Sequence, residues 1–153
     1  MAKIKLLRSK AQSLINPILK DLKRYGNIEV CGSFRRNKEV VGDIDLLGSN
    51  SNMINRLLKY GTRISSGSSN GFINRKGVDI DLKIVPKESW GTGLMMWTGS
   101  KFENIRLRGI AKAKGLKLCE YGLFKDNKNL AKNKSEEQVY KLLGEKYKKP
   151  EER

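Results

Sequence analysis

The sequence predicts an α+β fold, and two patterns and one interruption lead to that prediction. Residues 78–85 alternate apolar and polar side chains, which is typical of a strand with one buried face. Residues 3–24 instead carry apolar side chains at helical spacing. A Thr-Gly-Ser segment at 98–100 interrupts a helical pattern. We therefore predict two domains, residues 1–98 and residues 99–153.

Helices and short strands alternate in the first half of the chain. Pro17 lies in the middle of the first helical segment. The pattern therefore predicts either one kinked helix or two helices, the second capped by Asn16. Residues 28–30 and 43–47 are rich in aliphatic side chains and are predicted strands. Residues 53–59 follow a polar loop and are predicted to be helical.

A hairpin and the clearest strand come next. Residues 61–77 contain two extended pieces around a loop rich in Gly, Ser and Asn, which predicts a hairpin. The strand at 78–85 ends at Pro86, which lacks the N–H that would continue the ladder. Ser89 is then predicted to cap a short helix that reaches Trp97.

The last third of the chain returns to helix, strands and helix. A helix is predicted for residues 101–114, and short strands are predicted for residues 116–118 and 121–124. Ser135 and Gln138 have the spacing of a capping box, which predicts a final helix. The tail that follows is mostly charged, and we expect it to be partly mobile.

Positive charge dominates the composition. Lys and Arg total 32 against 16 acidic residues, which gives a net charge of +16. A balance this basic indicates a polyanionic partner, most often nucleic acid, and a basic structural protein is the alternative. The sequence has no apolar run that would span a membrane and no secretory leader pattern. We therefore expect a soluble, intracellular protein, and a monomer.

The residue types that are missing narrow the chemistry. There is no histidine, and Cys31 and Cys119 have no metal-ligand partner at short spacing. Zinc sites, Ser-His-Asp triads and histidine general bases are thereby excluded. Catalysis by this chain must use carboxylates, cations and metal ions. The two cysteines suit a reducing compartment, and we expect no disulfide between them.

A pair of aspartates, Asp43 and Asp45, forms the first candidate site. Residues i and i+2 of a strand project to the same side, and two carboxylates held that close repel unless a cation lies between them. Mg²⁺ accepts carboxylate ligands and keeps positions for phosphate oxygens and water. The alternative is a pair of exposed aspartates at the end of a strand.

The turn just upstream favours the metal interpretation. Gly32 allows close backbone approach, Ser33 offers a hydroxyl and an amide, and Arg36 can hold phosphate oxygens bidentately. An anion grip beside a metal pair is what nucleotidyl transfer needs. A third carboxylate is usual in such sites. Asp79 and Asp81 share one face of their strand, and periodicity does not choose between them.

Two long segments resemble the family X DNA polymerases, the DNA polymerase beta group of the nucleotidyltransferase superfamily. They are GSFRRNKEVVGDIDLL at 32–47 and VDIDLKIVPKESWGTGLMMWTGSKFENIRLRGIAKAKGLKLCEYGLF at 78–124. The resemblance implies a palm with a mixed sheet, residues 1–98, and a small α/β thumb, residues 99–153. It also implies template-directed addition of dNTPs to a primer 3′-hydroxyl in gapped or nicked DNA during repair. Two Mg²⁺ ions per active site, or Mn²⁺, would be the cofactors.

The same resemblance assigns roles to individual residues. Both metals would be bound by Asp43, Asp45 and Asp81, with Asp81 preferred over Asp79. The β- and γ-phosphates would be held by Gly32, Ser33, Arg36 and Gly42. The nucleotide side would be formed by Met96, Trp97, Gly99 and Asn104. The DNA and template side would include Arg108 and Glu120. Apart from the resemblance, the basic thumb surface adds Lys112 and Lys114, which we expect to contact DNA phosphates.

Two departures from the family pattern bear on function. Little more than one helix precedes the palm segment, so we expect palm and thumb only, as in the small viral members, without a lyase domain. The sugar-contacting pair is Met96–Trp97, whereas family members usually have Tyr-Phe or, in template-lax members, Gly-Trp. Weak discrimination against ribonucleotides is therefore expected. A template-independent terminal or other nucleotidyltransferase stays open as an alternative, and so does a non-catalytic DNA-binding module.

Overall fold

The computed structural model describes residues 5–153. The predicted start of the first helix, at residues 3 and 4, lies outside the described residues. The strands are β1 (Leu6–Leu7), β2 (Ile28–Val30), β3 (Val40–Val41), β4 (Ile44–Gly48), β5 (Thr62–Ser66), β6 (Asn70–Arg75), β7 (Val78–Ile84), β8 (Lys117–Cys119), β9 (Gly122–Lys125) and β10 (Lys128–Asn129). The α-helices are α1 (Arg8–Leu22), α2 (Gly32–Arg35), α3 (Asn52–Leu57), α4 (Trp90–Thr98), α5 (Lys101–Ala113) and α6 (Glu136–Leu142).

A five-stranded mixed sheet forms the centre of the palm. Its strand order is β2-β4-β7-β6-β5, and only β4 and β7 run parallel within it. Parallel neighbours need a crossover connection, and here the chain passes through α3 and the β5–β6 hairpin before β7 returns beside β4. The prediction of an α+β fold with a mixed sheet is confirmed.

One face of this sheet is buried in the core, and the other carries acidic side chains. Ile44 and Leu46 of β4, with Ile80 and Leu82 of β7, point into an apolar core that also takes in the buried side of α1 and α3. The alternate residues of the same strands, including Asp45 and Asp81, therefore project from the opposite face. The second face carries the candidate catalytic groups.

Of the two predictions for the first helical segment, the one with two separate helices is wrong. Helix α1 is a single helix that runs through Pro17, and Asn16 does not cap a second helix; its Oδ1 accepts from Gln12 Nε2 instead. An interior proline costs about 3 kcal/mol. Ile15 and Ile18 flank it and are fully buried in the palm core, and burying two such side chains offsets that cost.

Helix α4 connects two apolar clusters. Trp90, Leu94 and Trp97 pack against Leu47 and Val85 on the second face of the palm sheet. Met95 and Met96, which lie between Leu94 and Trp97 in the sequence, instead belong to the apolar core of the thumb. The helix is therefore shared between palm and thumb, and a boundary at 98/99 stays a prediction.

The short helix predicted after Ser89 is confirmed as α4, and Ser89 occupies its N-cap position, but the predicted side-chain cap is wrong. Ser89 makes no capping bond, and its Oγ donates to the carbonyl of Tyr121 at 2.6 Å instead. A contact between distant parts of the chain therefore replaced the local one that the sequence pattern predicted. The capping box of α6 is confirmed, because Ser135 Oγ accepts from the Gln138 amide and Gln138 Oε1 accepts from the Ser135 amide.

The C-terminal tail is packed against the thumb. Arg153 has a side chain that is only 1% exposed, and its Nη1 donates to Glu136 at 2.7 Å. Its guanidinium also lies over the rings of Tyr140 and Tyr147. The expectation of a partly mobile tail therefore does not hold for its last residue. From residue 5 onward, no helix is long and apolar enough to cross a membrane.

Candidate active site

Three carboxylates lie at the same end of β4 and β7. Asp45 and Asp81 are paired in register on these parallel strands, and Asp43 immediately precedes β4. Burial raises the pKa of Asp81, and the charge of Asp43 raises it further, while Lys83 lowers it. A neighbouring negative charge disfavours ionisation, which is the direction in which Asp43 acts on Asp81.

Asp79, the other candidate for the third carboxylate, has a different environment. Its Oδ1 accepts a hydrogen bond of 2.9 Å from Asn74 Nδ2, and Asn74 is its partner on the neighbouring strand β6. Asp79 thus has a partner away from β4, whereas Asp81 lies beside Asp45. The geometry supports Asp81 as the third member, and the choice stays a prediction.

The predicted phosphate turn packs directly on Asp45. Helix α2 begins at Gly32, whose φ of +57° is a conformation that L side chains rarely adopt. A Cβ at Gly32 would also collide with the carboxylate of Asp45. The neighbouring Cys31 amide donates to the Asp45 carbonyl at 2.7 Å. Turn and strand are therefore fixed against each other by backbone contact.

Arg36 follows α2 and reaches the end of α4. Its Nη1 donates to the Thr98 carbonyl at 2.6 Å. Burial lowers the pKa of Arg36, and the charge of Asp45 opposes that effect. Gly99 has a φ of +71°, and a Cβ there would lie 3.1 Å from Arg36 Nη1. The absence of a side chain at Gly99 therefore leaves space for the Arg36 guanidinium.

A cavity of about 350 Å³ opens between these groups and α5. It brings together all four predicted nucleotide-side residues with the carboxylate Asp45 and three cations. The predicted residues that line it are Arg36, Asp45, Met96, Trp97, Gly99, Asn104 and Arg108. Two of these lining residues are bonded to each other, because Asn104 Nδ2 donates to the Met96 carbonyl at 2.8 Å.

Some lining residues escaped the sequence prediction. Thr98, Lys101 and Ile105 also line the cavity. Lys101 and Ile105 lie one helical turn from Asn104 or Arg108, so i, i+3 and i, i+4 spacing on a predicted helix was a signal for them. Thr98 contributes its carbonyl to Arg36, which no side-chain pattern shows.

Other predicted residues lie outside this cavity. Asp43, Asp81, Gly32, Ser33 and Gly42 belong to the sheet end and the turn beside it. Lys112 lines a second cavity of about 460 Å³, which shares Arg108 with the first and also contains Lys117. Lys114 is exposed at the end of α5.

Glu120, predicted on the template side, is paired with the palm. Its Oε1 lies 3.8 Å from Lys83 Nζ, and Lys83 also lies over the Tyr121 ring at 5.1 Å. Since Lys83 is two residues after Asp81 on β7, the two share a face of the sheet. The Glu120–Tyr121 turn of the thumb is thereby linked to the strand that carries the candidate catalytic carboxylate.

Arg35 supports the site from behind, through contacts that the sequence did not reveal. Its Nη1 donates to Thr98 Oγ1 at 2.8 Å, and its Nη2 donates to Glu136 Oε1 at 2.6 Å. Arg35 thus joins α2 to both α4 and α6. Glu136 lies 101 positions further along the chain, and local patterns carry no signal for such a contact.

The carboxylates of Asp43, Asp45 and Asp81 are of the chemical type that binds hard divalent cations. They provide the oxygen ligands that Mg²⁺ and Mn²⁺ prefer. Within residues 5–153, however, no group of three or more candidate ligand residues is close enough together to hold a metal ion. The Asp45 carboxylate faces Gly32, on the side of the phosphate turn. The oxygen donors therefore fit Mg²⁺ or Mn²⁺ chemically, and binding of an ion would require the three aspartate side chains to move closer together.

Comparisons with known proteins agree with this architecture. The DNA polymerase beta palm model matches residues 8–75, and the DNA polymerase beta thumb model matches residues 93–153. The chain belongs to the family X DNA polymerases. The two matches together account for most of its length.

Relatives of this family X chain are larger proteins. It is 28% identical to DNA polymerase lambda of Arabidopsis thaliana over 83% of its own length and 32% of that protein. It is 37% identical to the human DNA-directed DNA/RNA polymerase mu over 57% of its own length and 18% of that protein. The chain thus spans a third or less of these relatives.

The fold is shared with a solved family X structure. A ternary primer/template complex of polymerase beta from Leishmania infantum superposes with a TM-score of 0.80 at 23% identity. The match covers 98% of this chain and 77% of that one. At this identity the likeness establishes the palm-and-thumb fold.

Proposed function

We propose that this chain is a template-directed DNA polymerase that adds dNTPs to a primer 3′-hydroxyl in gapped or nicked DNA. The observation that carries the proposal is the in-register pair Asp45 and Asp81 beside a cavity lined by Arg36. Membership of family X, whose relatives are named as DNA polymerases, supports the same reaction. Gap filling in repair is the setting that we propose for it.

The residues divide the chemistry among them. Asp43, Asp45 and Asp81 would hold two Mg²⁺ or Mn²⁺ ions, and bound ions would stabilise the charge of the triphosphate and favour ionisation of the primer hydroxyl. Arg36, which the Thr98 carbonyl holds at the cavity wall, would neutralise the pyrophosphate as it leaves. Ser33, at the start of α2, would bind phosphate oxygens beside it.

The sugar side of the cavity favours one specific alternative. Met96 and Trp97 line it, and neither is the tyrosine or phenylalanine that the family usually has there. A relative that matches this chain is named a DNA/RNA polymerase. Weak discrimination against ribonucleotides, or extension without a template, is therefore the competing proposal.

The deciding experiment is extension of a primer in a one-nucleotide gap with each dNTP alone and Mg²⁺. We expect incorporation of the template-matched nucleotide. Asp81→Ala should abolish it, whereas Asp79→Ala, on the same strand face but bonded to Asn74, should keep most of it. Incorporation that ignores the template would establish the terminal-transferase alternative. No incorporation with either metal ion would leave a DNA-binding module.

A further inference from the structure

Two large apolar side chains of α5 face solvent at the rim of the cavity. Phe102 is 78% exposed and Ile105 is 59% exposed, the two highest values among the exposed large apolar residues of the described chain. At i and i+3 they lie on one face of the helix. Ile105 and the neighbouring Lys101 line the cavity itself. Leaving this much apolar surface in water is unfavourable, which points to a ligand.

The exposed charged side chains that α5 contributes around this apolar pair are all positive, and Glu145 from the C-terminal tail is paired with Arg106 of the same helix. The exposed face of α5 also carries Lys101, Arg108 and Lys112. Its single carboxylate, Glu103, is turned inward, where it is 3% exposed and paired with Arg106 and Lys148. An apolar surface beside three exposed cations, with the only acid of α5 buried, is complementary to a base attached to a phosphate backbone.

From these observations we infer that Phe102, with Ile105 beside it, is a stacking platform for an unpaired DNA base next to the nucleotide cavity. Every base has a π-face, so such a platform contributes affinity without sequence preference. Arg108 and Lys112 continue along α5 into the second cavity and would hold the phosphates of the same strand. A protein partner fits less well, because two side chains are far from the roughly 800 Å² that each side of a stable interface buries.

This inference rests on the proposed function, because it assumes that DNA occupies the cavity. Its test needs no catalysis. The probe is a primer–template duplex whose template strand extends past the primer, with either a normal base or an abasic residue at the first unpaired position. The two probes carry the same phosphates, so the ratio of their dissociation constants isolates base stacking.

We expect wild type to bind the normal probe about tenfold more tightly than the abasic probe, because stacking of one base on an aromatic side chain contributes that much affinity. Phe102→Ala should bring that ratio close to one while its affinity for the abasic probe stays at the wild-type value. Phe102→Trp should preserve the ratio or increase it. Ile64→Ala, at another exposed apolar side chain on β5, is the matched control and should leave the ratio unchanged.

Two outcomes would overturn the inference. One is an unchanged ratio in Phe102→Ala, and the other is equal weakening of both probes, which would mean a structural or phosphate role. Thermal unfolding of each variant checks the fold. Templated extension on the normal probe separates the two proposals. Base preference without extension would refute only the polymerase, and extension without base preference would refute only the platform.

Discussion

At the scale of single residues, close approach of backbone to carboxylate organises the candidate site. Gly32 touches Asp45 at a point where a side chain would collide, and it does so in the left-handed region of φ. The contact sets the distance between the phosphate turn and β4, and with it the position of Arg36. A glycine is therefore required here for both its conformation and its size.

Replacing Gly32 with alanine tests this contact. The left-handed conformation costs an L residue about 1–2 kcal/mol, and the methyl group must also displace Asp45. We expect the free energy of unfolding to fall by about 2 kcal/mol, and incorporation to fall about 100-fold, as misplacement by an ångström does. Urea unfolding and single-nucleotide extension measure the two effects.

The matched control is Gly109→Ala on α5. A methyl group there meets no other atom within 4 Å, and φ is not positive. Alanine should stabilise this helical position by roughly 0.5–1 kcal/mol and leave extension intact. If Gly32→Ala behaved like Gly109→Ala, the contact with Asp45 would have no functional weight.

Sequence reasoning reached the residues that a short pattern defines. The Asp43–Asp45 pair and the Gly32–Arg36 turn are local, and the structure places them side by side. It did not reach Arg35 or Thr98, because their partners come from other elements of the fold. Periodicity left Asp79 and Asp81 equal, and only the family resemblance preferred Asp81. Strand register, which decides what each carboxylate faces, depends on pairing across the sheet.

At the scale of elements, helices α2, α4 and α6 meet around one buried ion cluster. Glu136 at the start of α6 is bonded to Arg35 from the palm and to Arg153 from the C-terminal tail. Burial alone would raise the pKa of Glu136, but the two arginines outweigh that effect and hold it below its usual value. The folded state therefore favours the ionised carboxylate.

This cluster predicts a defined loss of stability in acid. A carboxylate whose pKa is lowered by folding stabilises the protein above its unfolded pKa, and that contribution disappears as the pH falls through the folded value. For Glu136 the loss should begin below the ordinary value of 4.5. Glu136→Gln should cost about 3 kcal/mol at pH 7, since it leaves two arginines without their shared charge, and should flatten the acid dependence.

Chemical unfolding at a series of pH values measures that prediction. Glu137→Gln changes the exposed neighbour on the same helix and should follow wild type throughout. Identical pH profiles for wild type and Glu136→Gln would show that the cluster contributes nothing to acid stability. The element boundaries were largely predictable from sequence, whereas this cluster and the single helix through Pro17 depend on long-range packing.

At the scale of the whole molecule, we expect net charge to be the main determinant of the DNA binding that we propose. Lys and Arg exceed the acids by 16. Several of these cations lie on the thumb, where Arg108, Lys112 and Lys117 line one cavity. Composition alone predicted a polyanionic partner, but only the fold shows that these cations continue from the nucleotide cavity.

Salt dependence is the consequence of this charge that can be measured directly. Each neutralised phosphate releases counterions, so if about eight phosphates are contacted, log affinity should fall with log salt at a slope near −7. Lys112→Ala should reduce that slope by about one, because Lys112 lines the cationic cavity. Lys59→Ala removes an equal charge at an exposed position that lines neither cavity, and it should leave the slope unchanged. Fluorescence anisotropy on a gapped duplex across a salt series gives both numbers. Equal slopes for the two lysine variants would mean that affinity follows total charge and that the thumb cavity has no special part in holding DNA.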